Sequence, residues 1–309
     1  MKTLFIDQLT PESGTLDEFF QVASVDRKTT SQGKPYLLMK LKDRTGEITG
    51  NCWDIPEDCP ALTPGNVVKV RAEATTYRDA LQLKVTKLRM ATAEEVVRDD
   101  YMPASKHDRK DMFTGLCSNI GLIRNDALRE MVYDVCRELQ PQLMDAPAAK
   151  SNHQPYLGGL LEHILALCKL VGAVCSVYPE LNRDVMMSAA ILHDIGKCWE
   201  LCFQTHIGYT RQGSTVGHIA MAAQLLDKHR APLDPATYEH LLHLVLSHHG
   251  QREWGSPVVP VTREAQVFHL LDMIDSRYEM LTSKLAEGTG ADGLTPFDYK
   301  LGCAVWNGK

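Results

Sequence analysis

Histidines and aspartates recur in a fixed order through the second half of the chain, and their types are those that hold metal ions. His163 closes Gly158-Gly159-Leu160-Leu161-Glu162-His163, and His193-Asp194 sits in Leu192-His193-Asp194-Ile195-Gly196-Lys197. His218 follows Gly217, His248-His249 precedes Gly250, and Asp272 and Asp275 fall in His269-Leu270-Leu271-Asp272-Met273-Ile274-Asp275. Imidazole is the commonest protein metal ligand, and imidazoles mixed with carboxylates suit a transition-metal or magnesium-like cation. A carboxylate can also bridge two cations, and two cations about 3.5–4 Å apart can clamp the attacking and leaving oxygens of a phosphate ester. The chemistry on offer is metal-assisted hydrolysis of such an ester. A purely structural role is the poorer account, because a buried His-Asp pair without an ion or partner is costly. Adjacent His193 and Asp194 point about 100° apart on a helix. They can share one site only if it straddles the helix or lies at its end, and Gly196 is placed to end it.

The elements that carry these residues read as helices. Helical periodicity predicts helices near 111–120, 126–144, 158–177, 183–197, 215–230, 235–249 and 263–286, with Pro141, Pro179, Pro232 and Pro257 at or beyond their ends. The region 111–309 is therefore expected to be all-α, and 91–110, a polar stretch with Glu94, Glu95, Asp99, Asp100 and Pro103, to be a linker. Before it the period is two. Runs at 19–29, 35–42, 47–54, 66–74 and 80–88 are separated by turns such as Ser31-Gln32-Gly33-Lys34 and Asp43-Arg44-Thr45-Gly46. In the second run Leu37, Met39 and Leu41 share one face; in the last, Leu81, Leu83 and Val85 do. Short strands at this spacing predict a small β-barrel over residues 1–90.

The barrel region is basic between residues 27 and 89, where Arg27, Lys28, Lys34, Lys40, Lys42, Arg44, Lys69, Arg71, Arg78, Lys84, Lys87 and Arg89 outnumber the acids. Tyr36, Trp53 and Tyr77 are interleaved with them. A positive groove with stacking aromatics is what single-stranded nucleic acid needs, so Tyr36, Lys40, Lys42, Trp53, Tyr77, Arg78 and Lys84 are the expected contact set. The whole chain, 309 residues with net charge -6, is not one that coats nucleic acid by bulk charge. The sequence has no uninterrupted apolar run of membrane-spanning length, and Asp7 comes before any signal-peptide core could form, so no membrane and a cytoplasmic location are expected. Nine cysteines without a CxxC pair predict reduced, mostly buried thiols.

With these residues in place, a resemblance emerges. His163, His193-Asp194 and Asp272 match the H…HD…D signature of HD-domain phosphohydrolases, and His-Asp-x-Gly-Lys with His218 and His248/His249 resembles their two-metal phosphodiesterase branch. Gly33-Lys34-Pro35-Tyr36, Asp43-Arg44-Thr45-Gly46-Glu47-Ile48, Trp53, Pro64-Gly65 and Tyr77…Leu81-Gln82-Leu83 resemble an oligonucleotide/oligosaccharide-binding (OB) barrel. An OB barrel followed directly by an HD domain is similar to the YhaM-type 3′→5′ exoribonucleases. The likeness runs over nearly the whole chain and is weakest from residue 288 onward. Where that family tends to show two consecutive histidines, this chain has His153-Gln154.

The resemblance implies a multidomain protein, an all-β OB barrel followed by an all-α HD domain. It implies a metal-dependent 3′→5′ exonuclease acting on single-stranded RNA or DNA and releasing nucleoside 5′-monophosphates. Two divalent cations would serve it, manganese first, with magnesium, iron(II) or cobalt as alternatives. Asp194 would bridge them, with His163, His193 and Asp272 at one site and His218 and His248 at the other. His249 is a further candidate ligand. Lys197 would neutralise charge on the phosphoryl oxygens, and Glu200, Asp275, His269 and His153 would orient ligands or meet substrate. His107, His206, His229, His240 and His243 are read as ordinary surface or packing histidines. An HD phosphodiesterase for cyclic or small nucleotides, and a nucleic-acid-binding module with an inactive HD domain, are the rival readings, and a homo-oligomer stays open.

Overall fold

A computed structural model of the chain describes residues 2–151 and 154–309. It divides into two units, Met1–Pro103 with Gln204–His206, and Ala104–Phe203 with Ile207–Lys309.

The first unit is built on β1 (Thr15–Thr29), β2 (Pro35–Asp43), β3 (Gly46–Cys52), β4 (Val67–Tyr77) and β5 (Ala80–Met90), closed in the order β1-β2-β3-β5-β4. Side chains alternate as a pleated strand requires: β2 buries Leu37, Met39 and Leu41 and turns Tyr36 and Lys40 outward. Phe20, Val22, Met39, Leu41, Val68, Val70 and Leu83 fill the interior. The strands run longer than periodicity predicted. β1 pairs with β4 through Thr15–Gln21 and with β2 beyond, and a bulge between Val22 and Ser24 lets one strand serve both partners. The chain before β1 is tied down by charge. The Glu18 carboxylate accepts the N–H groups of Thr3, Leu4 and Phe19, and Lys2 pairs with Asp43 at 3.1 Å, both side chains buried.

The stretch read as a linker, 91–110, is divided. Ala91 and Val96 pack with Phe19, Val67 and Tyr101 against the barrel, and the Arg44 N–H donates to the carbonyl of Asp100 at 2.9 Å. The helical unit takes over at Ala104.

In the second unit the helices are α1 (Arg109–Ile120), α2 (Asp126–Glu138), α3 (Gln140–Asp145), α4 (Gly159–Val177), α5 (Arg183–Leu192), α6 (Lys197–Glu200), α7 (Arg211–Val216), α8 (His218–His229), α9 (Pro235–Ser247) and α10 (Arg263–Glu287). Asp108, Asn125, Asn182, Thr210, Asp234 and Thr262 cap helix N-termini with their side chains, each accepting an otherwise unpaired N–H. Three predicted helices are broken. Pro141 starts α3 and separates it from α2, α5 stops at Leu192 and not at 197, and Gly217 separates α7 from α8. A two-stranded hairpin, β6 (Leu201–Phe203) with β7 (Ile207–Tyr209), interrupts the all-α reading.

The apolar stretch passed over in sequence is α4. α4, at 19 residues, is long and apolar enough by length and composition to cross a membrane; in sequence the run is disguised by Glu162, His163 and Lys169. In the fold it is the central helix, packed against α1, α5 and α10, and a helix surrounded by others is apolar on most sides.

Candidate metal centre

The broken helices are what bring the donors together. His193 is the C-cap residue of α5, so it and Asp194 leave the helix end together, and the two can face one site. Gly196 does not end the helix through a special backbone conformation. A Cβ on it would lie 2.1 Å from the carbonyl oxygen of His218, so glycine is needed there to let the first residue of α8 approach. His163 comes from α4, His248 from the end of α9, and Asp272 from α10.

The donor atoms fall into two nests that share Asp194. In the first, His163 Nε2 lies 3.3 Å from His193 Nε2 and 3.2 Å from Asp272 Oδ1. Asp194 Oδ2 is 3.8 Å and 3.3 Å from the same two histidines. In the second, Asp194 Oδ1 faces His218 Nε2 at 3.4 Å and His248 Nε2 at 3.6 Å, and a donor atom of His249 joins those of His218 and His248 within 4.8 Å. Donors that share one cation at about 2.0–2.2 Å stand roughly 3 Å or a little more apart. The residues fit a divalent cation on a second count. Asp194 Oδ1, His218 Nε2 and His248 Nε2 are buried with no hydrogen-bond partner, a costly state for polar atoms unless an ion meets them. Among the described residues no thiol joins the cluster. The nearby Cys198 thiol is pushed up to about 12 by burial, so it stays protonated.

Every imidazole is tethered through Nδ1, which leaves Nε2 as its metal-facing atom. His163 Nδ1 donates to Asp275 at 2.7 Å, and His218 Nδ1 to Glu200 at 2.9 Å. His193 Nδ1 reaches the carbonyl of Ala189 at 3.2 Å, His248 Nδ1 that of Val245 at 2.7 Å and His249 Nδ1 that of Trp254 at 2.9 Å. Outer partners of this kind fix a ligand's tautomer and orientation. Glu200 and Asp275 thus stand one contact behind the donors, as does His269, whose Nδ1 donates to the carbonyl of His248 at 2.8 Å. Sequence reading missed the main-chain tethers and Trp254. For His193 and His248 the available signal was position: a histidine at a helix C-terminus lies three or four residues beyond a carbonyl of the last turn.

The electrostatics suit cation binding. Burial works against ionising Asp194, but Lys197, His193 and His218 hold its carboxyl well below the usual carboxylate range; Lys197 Nζ is 2.5 Å from Asp194 Oδ2. Asp272 is likewise held low against burial by His163 and His193. Burial and the neighbouring His193 push His248 well down, and burial with His218 lowers His249, so both rings are neutral donors at neutral pH. His163 differs: burial disfavours its charge, yet the carboxylates of Asp272 and Asp275 push it up to about 9. His229 and His240 pair with Glu138 and Glu264 away from this cluster. His153 lies outside the described residues.

Comparison with known proteins settles the family. Residues 160–277 match the HD domain model and residues 22–91 the model of an OB-fold nucleic acid binding domain. The chain is 33% identical over 274 residues to the 3′-5′ exoribonuclease YhaM of Geobacillus sp. (strain WCH70), covering 87% of this chain and 85% of the relative. It is 32% identical to that of Bacillus subtilis (strain 168), over 87% of each chain, and 34% identical to that of Oceanobacillus iheyensis, over 86% of this chain and 85% of the relative. The chain belongs to the YhaM family. Its HD match spans the donors from His163 to Asp272, which is the whole of both nests.

The barrel of this YhaM-family chain carries several of the expected aromatic and basic residues on the face of β2, β3 and β5. Along β2, β3 and β5, Leu38, Asn51 and Lys84 stand in register, as do Lys40, Thr49 and Gln82. At one end Tyr36 and Trp53 stack on each other, ring centroids 4.5 Å apart, with Trp53 still 40% exposed. Lys42, opposite Glu47, lies toward the other end; it is half-buried, and burial lowers its pKa. Tyr77 and Arg78 sit at the β4–β5 turn, the guanidinium 5.3 Å from the ring centre. Lys40 is drawn toward Glu47 at 3.5 Å. The structure therefore lines Tyr36, Lys40 and Lys42 along one face of β2 with Trp53 and Lys84 on the neighbouring strands' side, and places the Tyr77–Arg78 pair at the β4–β5 turn.

Proposed function

We propose that the chain removes nucleotides one at a time from the 3′ end of single-stranded RNA, and of single-stranded DNA, as nucleoside 5′-monophosphates, with two divalent cations held on either side of Asp194. A metal-dependent 3′→5′ exonuclease is supported by the HD domain and by relatives named 3′-5′ exoribonucleases. The observation that carries the two-cation form is the division of Asp194: Oδ2 turns to His163 and His193, Oδ1 to His218 and His248. Imidazoles with two carboxylates and no thiolate suit a first-row divalent ion such as manganese or iron better than magnesium.

When bound, the cations polarise the phosphodiester and make water a competent nucleophile at neutral pH. The protein's own groups do the rest. The Nδ1 tethers hold the rings so that they need not reorganise on binding. Lys197, buried beside Asp194, supplies positive charge where negative charge builds on the phosphoryl oxygens. Tyr36 and Trp53 offer stacking faces, and Lys40 and Lys84 phosphate contacts, for the strand.

Metal-supplemented digestion of one 5′-labelled and one 3′-labelled single strand tests the reading. The 5′-labelled strand should shorten as a ladder, and the 3′ label should appear at once as mononucleotide. Internal fragments as first products would make it an endonuclease. An intact strand beside cleaved cyclic dinucleotides would make it a small-molecule phosphodiesterase.

A further inference from the structure

We infer that Trp254 is the platform on which the base of the 3′-terminal nucleotide stacks, an inference that rests on the exonuclease reading above. Trp254 ends a short 3-10 turn, Arg252–Trp254, in the connection between α9 and α10. Two contacts fix it beside the metal donors. Its main-chain carbonyl accepts the Nδ1–H of His249 at 2.9 Å. Its indole lies against the ring of His269, centroids 6.0 Å apart, and that same imidazole bonds the carbonyl of His248. Gly250 makes the arrangement possible: its φ is +80°, and a Cβ there would come within 2.3 Å of the His269 ring.

Despite this anchoring Trp254 is 51% exposed. A tryptophan held on one side and open on the other leaves unused much of the burial that usually justifies the residue. Two other exposed aromatics of the helical unit, Tyr133 and Tyr209, are covered by Arg137 at 5.8 Å and Lys150 at 5.6 Å. Among the described residues no cation lies over Trp254. The residue is hydrogen-bonded to His249 through its main chain and rests on His269, which in turn holds His248; a nucleotide whose phosphate meets the metals at these histidines has its base within reach of the exposed indole, and that base is the group that would cover it. Stacking reads no hydrogen-bond pattern, so all four bases are accepted. An enzyme that takes each successive terminal nucleotide needs that tolerance.

Calorimetric titration of the metal-supplemented full chain with adenosine 5′-monophosphate and with ribose 5-phosphate, which lacks the base, tests the platform. Trp254→Ala should weaken adenosine 5′-monophosphate about tenfold, or about 1.4 kcal/mol, and leave ribose 5-phosphate within about twofold; Trp254→Phe should restore most of the loss. The carbonyl that holds His249 is main-chain and survives both substitutions. On strands, Trp254→Ala should raise KM and leave kcat in place, because the stack is present before and during reaction. Unchanged affinity for adenosine 5′-monophosphate in Trp254→Ala overturns the platform, as does an equal loss for ribose 5-phosphate or no binding of adenosine 5′-monophosphate by the unaltered chain. If the base-dependent loss is seen but the unaltered chain fails to shorten labelled strands, the stacking site stands and the exonuclease reading falls.

Discussion

Replacing Glu200 by Gln should loosen one cation and leave the other in place. A single oxygen of Glu200 accepts both the main-chain N–H of His218 at 3.0 Å and its Nδ1–H at 2.9 Å. Burial opposes the charge of Glu200, and the His218 contact holds its pKa down nonetheless. Glutamine keeps the shape and one accepting oxygen, so the ring can stay oriented. What is lost is the negative charge that makes the opposite ring nitrogen a better donor. Removing an outer carboxylate of this kind costs about 10–100-fold in metal affinity, or about 1.4–2.8 kcal/mol. His218 faces only Asp194 Oδ1, so the loss should fall on one nest. Metal content measured at buffered free manganese should show two equivalents per chain for the unaltered protein. Glu200→Gln should hold one over a window of about one to two decades and regain the second above it, with the hydrolysis rate following the second equivalent. Asp275→Asn, behind His163 on the other side, should loosen the opposite nest. One equivalent in the unaltered chain, or loss of both together in Glu200→Gln, would refute the division of Asp194 between two ions.

Chelation should abolish hydrolysis reversibly, and manganese at about 100 times its Kd should stabilise the helical unit by about 2.7 kcal/mol per site; a Tm indifferent to manganese would contradict the fit of the orphaned donors. Glu18 is held below its ordinary pKa: burial opposes its charge, but the N–H groups of Phe19 and Thr3 outweigh it. It therefore stabilises the barrel above about pH 4.5, and that contribution is lost as pH falls through the lowered value. Glu18→Gln should lower the urea midpoint near neutral pH, with the gap to the unaltered chain closing in acid, as read by Trp53 emission with Trp199, Trp254 and Trp306 replaced by Phe; a gap independent of pH would sink this account. Trp53→Ala should raise KM for long strands about tenfold, and Lys84→Ala should reduce the slope of log affinity against log salt by roughly one. Unchanged values for both would remove this face from strand binding. A barrel deletion made to test the same point should run through residue 103, because Tyr101 belongs to the barrel's packing.

Some of this architecture could be read from residue types alone. The donors were legible because metal chemistry lives in side chains: His163, His193, Asp194, His218, His248 and Asp272 converge as the motif required. The barrel was legible because strands alternate, and β2 obeys that rule residue by residue. Helix ends were not. Leu192 and Ile195 are apolar and in phase, so periodicity carried α5 through residues that the chain uses as a turn. β6 and β7 span three residues each, too short for any period to show. The role of Gly196 was misread for the same reason: its backbone is ordinary, and only the tertiary approach of His218 makes a side chain impossible there.

The tethers of the donors follow from which groups each helix position brings within reach. His193 and His248 are C-cap residues, and their Nδ1 atoms are held by carbonyls of their own last turns. His218 opens α8, where the main chain offers N–H groups and no accepting carbonyl. Its Nδ1 therefore needs an acceptor from elsewhere, and Glu200 supplies it while also accepting the main-chain N–H of His218. His163 lies inside α4, and it takes the carboxylate of Asp275 from α10. The main-chain tethers thus belong to the two histidines at helix C-termini, and the charged tethers to the two away from them. These two donors are consequently the ones whose strength is open to tuning by substitution, whereas the tethers of His193 and His248 are backbone atoms that no side-chain replacement removes.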